Sequence, residues 1–190
     1  MFRLHVQQAW SELDDGSLVE AYRNHAAEAA FAELVHRYQS RLFKVLVGMV
    51  NDAALAEELC QRTLVKAALN LDQLQDSQAF YAWLLRVART QALDEFKKYS
   101  RRNTDPFEDN HLGSVDPGVN HGIKSTIRAV LGRLTPDERM TLLLADLEQR
   151  SIEEIAEVLG IKQSATKMRI ARARARFRSI YQEMIDAHGH

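Results

Sequence analysis

Cysteine is almost missing from this sequence. The one residue, Cys60, rules out an internal disulfide, and the 7 histidines have no cysteine at ligand spacing, so no structural metal site is expected. Proline and glycine are scarce, 3 and 8 in 190 residues, which fits a helical protein. Long apolar runs are lacking too: the longest, near Leu42 to Val50, is broken by Lys44 and is far too short to span a bilayer. The start, Met1 to Trp10, mixes Arg3, His5, Gln7 and Gln8 with apolar residues and has no continuous apolar stretch of a secretory signal, so the expected location is the cytoplasm. A formal net charge of -1 argues against coating nucleic acid by bulk attraction. There is no phosphate-cradling glycine loop, no HExxH and no nucleophile elbow, and Cys60 falls on an amphipathic stretch where a buried thiol is the default. An enzyme is not expected, and no cofactor is implied.

Hydrophobic residues make up 46% and charged residues 27%, as in soluble globular chains, so wholesale disorder and fibrous repeats are disfavoured. The length suits one domain or two small ones. Between Asn103 and Gly122 lie Pro106, Gly113, Pro117, Gly118 and Gly122, with Asp105, Glu108, Asp109 and Asp116 and no Lys or Arg, which reads as a flexible acidic linker. On either side the apolar spacing is helical: Leu34, Tyr38, Leu42, Val45, Leu46 and Met49 share one face. The expected fold is all-α, two small helical domains joined by that linker. Helices are expected over Ser17–Asn24, Ala29–Val50, Ala53–Asn70, Ser77–Tyr99, Ile123–Leu134, Pro136–Leu147, Ser151–Leu159 and Gln163–Asp186. Thr135 before Pro136 and Glu138, and Ser151 before Glu154, fit capping boxes.

Charge is distributed unevenly. From Lys162 to Arg178 run Lys162, Lys167, Arg169, Arg172, Arg174, Arg176 and Arg178 with no acid, directly after the acid-rich stretch Asp146 to Glu157. Over Ser151 to Ala173, a short apolar helix, Gly160 and a second helix form a helix-turn-helix pattern. At 100° per residue, Thr166, Ile170, Ala173, Phe177 and Ile180 cluster on one side of the second helix. Ser164, Lys167, Met168, Ala171, Arg172 and Arg178 point the other way, a face that suits a major groove, with Arg169, Arg174 and Arg176 on the flanks for phosphates. The alternative is a solvated basic helix.

In the first half, Trp83, Arg86, Thr90 and Lys97 share a helical stripe beside Phe80, Leu84, Val87 and Ala88. Aromatic and basic groups together suit single-stranded nucleic acid, although an aromatic at helical spacing is more often core. The polar segment Gln73 to Gln78 is either a base-accepting loop or a turn.

These residues resemble the extracytoplasmic-function sigma factors, the two-domain promoter-specificity subunits of bacterial RNA polymerase. Ala30 to Leu34, Arg37-Tyr38, Ala56 to Gln61, Ala79 to Arg89 and Ala92 to Lys98 look like the family's region two, and Leu134 to Arg139, Ser151 to Ile161 and Lys167 to Arg174 look like region four. The domains expected are an extension 1–16, region two over 17–102, a linker 103–122, region four over 123–182 and a tail 183–190. The resemblance implies that Leu74, Gln75, Asp76, Ser77 and Gln78 form the minus-ten specificity loop, and that Trp83, Arg86, Thr90, Asp94 and Lys97 lie on the strand-opening helix. It implies minus-thirty-five contacts by Ser164, Lys167, Met168, Arg169, Ala171, Arg172 and Arg174, and docking on core polymerase by Glu57, Glu58, Gln61 and Arg62. Implied partners are core RNA polymerase, promoter DNA as duplex and melted strand, and an anti-sigma factor, in a stress or environmental response. The chain departs from the family pattern at Arg62, where an acid is usual, at Leu64, at Thr90 and at Ala165-Thr166. A stand-alone helix-turn-helix regulator is the rival reading; it would bind symmetric operators tightly without polymerase.

Overall fold

A computed structural model of the chain describes residues 10–25, 27–102 and 123–188. The expected linker, 103–122, lies outside the described residues, as does most of the expected N-terminal extension. Among the described residues every regular element is helical. The first group is α1 (Asp15–His25), α2 (Glu28–Val50), α3 (Ala53–Leu69) and α4 (Phe80–Arg102). The second is α5 (Ile123–Gly132), α6 (Pro136–Leu142), α7 (Ile152–Leu159) and α8 (Gln163–His188).

Local chemistry sets several of these ends. Thr135 and Ser151 each accept from the backbone of a glutamate three residues on, which reaches back to the cap, so both expected capping boxes form. Gly160 closes α7 at φ 68, a left-handed value that costs glycine little. Asp52 starts α3 by accepting from Leu55 N at 3.0 Å. Most expected boundaries shift by one to three residues, and two of the changes have a local cause. The helix expected from Ser77 begins at Phe80, because Ser77–Ala79 first makes a single tighter turn capped by Asp76. The helix expected over Pro136–Leu147 stops at Leu142 and widens into a π-helical turn, Leu143–Leu147, in which Glu148 N donates to Leu143 O at 2.9 Å.

The core runs through both groups. Leu34, Leu42, Leu46, Phe80 and Leu84 are wholly buried, and Leu144, Ile155 and Val158 of the second group join the same cluster. A smaller cluster, Val130, Leu134, Leu142, Ala173 and Ile180, ties α5 and α6 to α8. Gly48 lets the groups approach closely: a Cβ there would lie 2.5 Å from Leu143 Cδ2.

Candidate nucleic-acid interface

Helix α8 carries the basic stripe, and its two faces separate by burial. Thr166 and Ala173 are buried completely, and Ile170 and Phe177 are half-buried. Thr166 can be buried because its hydroxyl donates to Lys162 O at 3.1 Å. Ser164, Lys167, Met168, Ala171 and Arg172 face solvent, Met168 being 56% exposed. Two flanking guanidiniums are engaged within the second group: Arg174 Nη2 sits 2.6 Å from Asp146 Oδ1, and Arg169 Nη1 3.7 Å from Asp137 Oδ2. Lys167 and Arg172 have no ion-pair partner among the described residues.

On α4, Arg86, Thr90, Asp94 and Lys97 form an exposed stripe, with Lys97 and Asp94 3.5 Å apart. Trp83 does not join it. The indole is 5% exposed and packs 6.2 Å from the Phe80 ring, so the expectation of a stacking platform at Trp83 is corrected: one turn from Arg86, the helix has rotated this side chain into the core.

The loop between α3 and α4 divides residue by residue. Leu71 and Leu74 turn inward at 2% and 5% exposure, while Gln73, Gln75, Asp76 and Gln78 face solvent and Ser77 is half-buried. Leu74 therefore does not offer its side chain to the surface.

Helix α3 presents Glu57, Glu58 and Gln61 outward, with Arg62 half-exposed between Glu58 at 3.3 Å and Glu95 at 2.8 Å. Lys98 and Arg62 together hold the Glu95 carboxyl below its ordinary value. The same face carries Val65 and Leu69, 61% and 78% exposed. Sequence reasoning missed this apolar pair. The signal available was their spacing of four from Gln61, which continues the acidic stripe.

The two groups meet through charge as well as apolar packing. Arg41 of α2 lies 2.7 Å from Glu148, whose side chain is 5% exposed, and Arg89 of α4 lies 2.7 Å from Asp137. Two guanidiniums lie close to the Tyr81 ring, Arg41 at 4.6 Å and Arg150 at 4.7 Å from its centre, and Tyr38 stacks on it at 4.5 Å. Burial pushes the Tyr38 phenol up to about 12, so it stays neutral. As a result, Arg86 on α4, Glu153 and Glu157 on α7, and Lys162 and Ser164 at the start of α8 border one open cleft. Among the described residues no cluster of ligands could hold a metal ion, and no helix is long and apolar enough to cross a membrane.

Comparison with known proteins agrees with this arrangement. The profile described as Sigma-70 region 2 matches residues 34–102, and that described as Sigma-70, region 4 matches residues 124–177. The RNA polymerase sigma-H factor of Pseudomonas aeruginosa is 30% identical over 174 residues, 84% of this chain and 90% of that protein. The ECF RNA polymerase sigma factor SigM of Bacillus subtilis is 25% identical over 160 residues, 81% of this chain and 96% of that protein. Among solved structures, CnrH in complex with the cytosolic domain of CnrY is similar with a TM-score of 0.66 and 25% identity, covering 91% of this chain and 97% of that one. The sigma factor RpoE in complex with the anti-sigma factor NepR, from Bartonella quintana, shares the fold with a TM-score of 0.64 over 80% of this chain and 96% of that one. A region-two bundle and a region-four helix-turn-helix in one chain are the parts of a promoter-directing subunit, not of an enzyme: the protein belongs to the sigma-70 family, as an extracytoplasmic-function sigma factor.

Proposed function

We propose that this sigma factor reads promoters with two separated surfaces, α8 on the minus-thirty-five element and the α4 stripe with its preceding loop on the minus-ten element. The observation that carries the reading is the division of α8: a buried Thr166, Ala173 and Ile180 face opposite an outward Ser164, Lys167, Met168, Ala171 and Arg172 face. Arg172 and Lys167 have the donors that pair with guanine edges, and Met168 and Ala171 suit contact with thymine methyls. Glu57, Glu58, Gln61 and Arg62, with Val65 and Leu69, form the surface offered to core polymerase, an apolar centre beside charged groups. The cytoplasm is the place of this work. Similarity to RpoE, whose structure is a complex with the anti-sigma factor NepR, and to CnrH, in complex with the cytosolic domain of CnrY, supports control by a bound protein of the anti-sigma kind, and a stress or environmental response is the setting such control suits.

Reading both elements requires the two groups to part. Elements centred at minus ten and minus thirty-five lie about 25 base pairs apart, which at about 3.4 Å per pair is on the order of 85 Å. Here Arg86 and Ser164 border one cleft. The packed arrangement is thus the form of the unbound chain, and polymerase and promoter together supply the contacts that replace its internal ones. The test is co-elution of the purified chain with bacterial core polymerase, followed by transcription from fragmented genomic DNA. Co-elution with discrete start sites is the expected result; tight duplex binding with no polymerase association would overturn it.

A further inference from the structure

The exposed loop between α3 and α4 is fastened by a helix some fifty residues away in sequence. Arg23, in the last turn of α1 and only 16% exposed, donates from Nη2 to the carbonyl oxygens of Leu71, at 2.5 Å, and of Leu74. Its Nη1 donates to Ser77 Oγ at 3.2 Å. Ser77 Oγ in turn donates to Glu20 Oε1, one turn earlier on α1, at 2.5 Å. At the start of α1, Asp14 Oδ1 accepts from Gln78 Nε2 at 2.9 Å. Gly16 makes room for that last contact, since a Cβ there would lie 2.4 Å from Gln78 Nε2. Three side chains from one helix region thus hold both ends of a five-residue loop, and Leu71 and Leu74 peg it from below.

What this fastening leaves free is informative. Gln73 donates to Asn70, Asp76 caps the following turn, and Ser77 and Gln78 are bound to α1. Gln75 alone on the crown is exposed and makes no hydrogen bond among the described residues. A carboxamide offers a donor and an acceptor side by side, but it discriminates bases only if its backbone is held within a fraction of an ångström. We propose that Arg23 is a positioning residue for minus-ten recognition, its guanidinium fixing the Leu71 and Leu74 carbonyls so that the loop presents Gln75 in one orientation. The inference rests on the reading of this loop as a base-contacting segment. A lysine cannot replace Arg23, because a point charge on a flexible stem does not span two carbonyls and a hydroxyl in one plane.

The experiment is transcription by reconstituted holoenzyme from a promoter library randomised across the minus-ten element, with a second library randomised across the minus-thirty-five element. In wild type, one minus-ten position should show roughly five- to a hundred-fold discrimination among bases. Arg23→Met and Arg23→Lys should both flatten that position to within about twofold, leaving the minus-thirty-five pattern and core association unchanged, a split that general loss of structure would not give. Gly16→Ala, which adds helix propensity while displacing Gln78, should weaken the same position and decides the matter if the Arg23 variants fold poorly. Gln75→Ala separates the two levels of the claim. If it alters the minus-ten pattern while Arg23→Met, or Gly16→Ala in its place, leaves that pattern as in wild type, Arg23 does not position the loop. If neither change alters any minus-ten position, the loop is not the reader, and the inference falls with that reading.

Discussion

Arg139 donates from Nη1 to the Met49 carbonyl oxygen, 2.6 Å away, so a cation of α6 satisfies the last turn of α2. The last four carbonyls of a helix have no partner within it, and that end of the helix dipole favours positive charge. The same guanidinium donates to Leu134 O at 3.0 Å and Gly132 O at 2.9 Å and lies 5.7 Å from the centre of the Phe96 ring. One side chain thereby closes the end of α5, the start of α6 and the seam between the two halves of the protein.

Arg139→Met should lower stability by about 2–4 kcal/mol, since it strips donors from buried carbonyls while keeping most of the volume. It should also lengthen the distance between a dye on α3 and one on α8 in the chain without polymerase. An unchanged distance would show that the seam is held without it.

Arg41 and Glu148 offer a cleaner probe, because the Arg41 side chain is 44% exposed. Arg41→Glu and Glu148→Arg should each open the two halves, and the double exchange should close them again, with a coupling of about 1 kcal/mol. Additive effects in the double-mutant cycle would refute a direct pairing.

Arg172→Ala should weaken use of a minus-thirty-five element by about 1–3 kcal/mol and relax preference at one base position, with core association intact. Transcription assays on promoters altered base by base would register it; a uniform loss across all sequences would assign Arg172 to phosphate instead.

Trp83→Ala should act on stability, by about 3–5 kcal/mol, because it empties a core site beside Phe80. Thermal melting reads this directly. Normal stability with impaired strand opening would return the indole to the surface.

Acid should loosen the fastening of the loop. The hydrogen bond from Ser77 holds the Glu20 carboxyl below its ordinary 4.5, and those from the Ser17 backbone and Gln78 hold Asp14 below 3.8. Both folded values are depressed, so their contribution is present above the ordinary values and is lost as pH falls through the lowered ones. Melting temperature should therefore be insensitive to these two groups above about pH 6 and should fall below about pH 4, less steeply in a Glu20→Gln, Asp14→Asn variant. An identical acid slope in that variant would contradict the assignment.

Much of this was legible in the sequence. The capping boxes at Thr135 and Ser151 and the glycine at Gly160 are local rules, and the wheel of α8 needed only its period. Trp83 was misjudged for the opposite reason: one stripe of a helix does not say where burial stops, and only packing against Phe80 decides it. Arg23, Arg41 and Arg139 were silent because the contacts by which they join elements reach 48, 107 and 90 positions along the chain, and no spacing rule reports such contacts. The π-helical turn at Leu143–Leu147 was hidden too, since its sequence is an ordinary apolar helix and only the wider closure brings Glu148 to Arg41.

Asp137 faces two arginines at once, Arg89 at 2.7 Å and Arg169 at 3.7 Å, and Asp146 faces Arg174 at 2.6 Å. A phosphate that reaches Arg169 or Arg174 therefore displaces a carboxylate already in place. Such an exchange leaves the balance of paired charges nearly unchanged, so it sets free fewer condensed cations than a contact made by an unpaired arginine. The ionic-strength dependence of duplex binding will accordingly be shallower than a count of the basic residues on α8 implies.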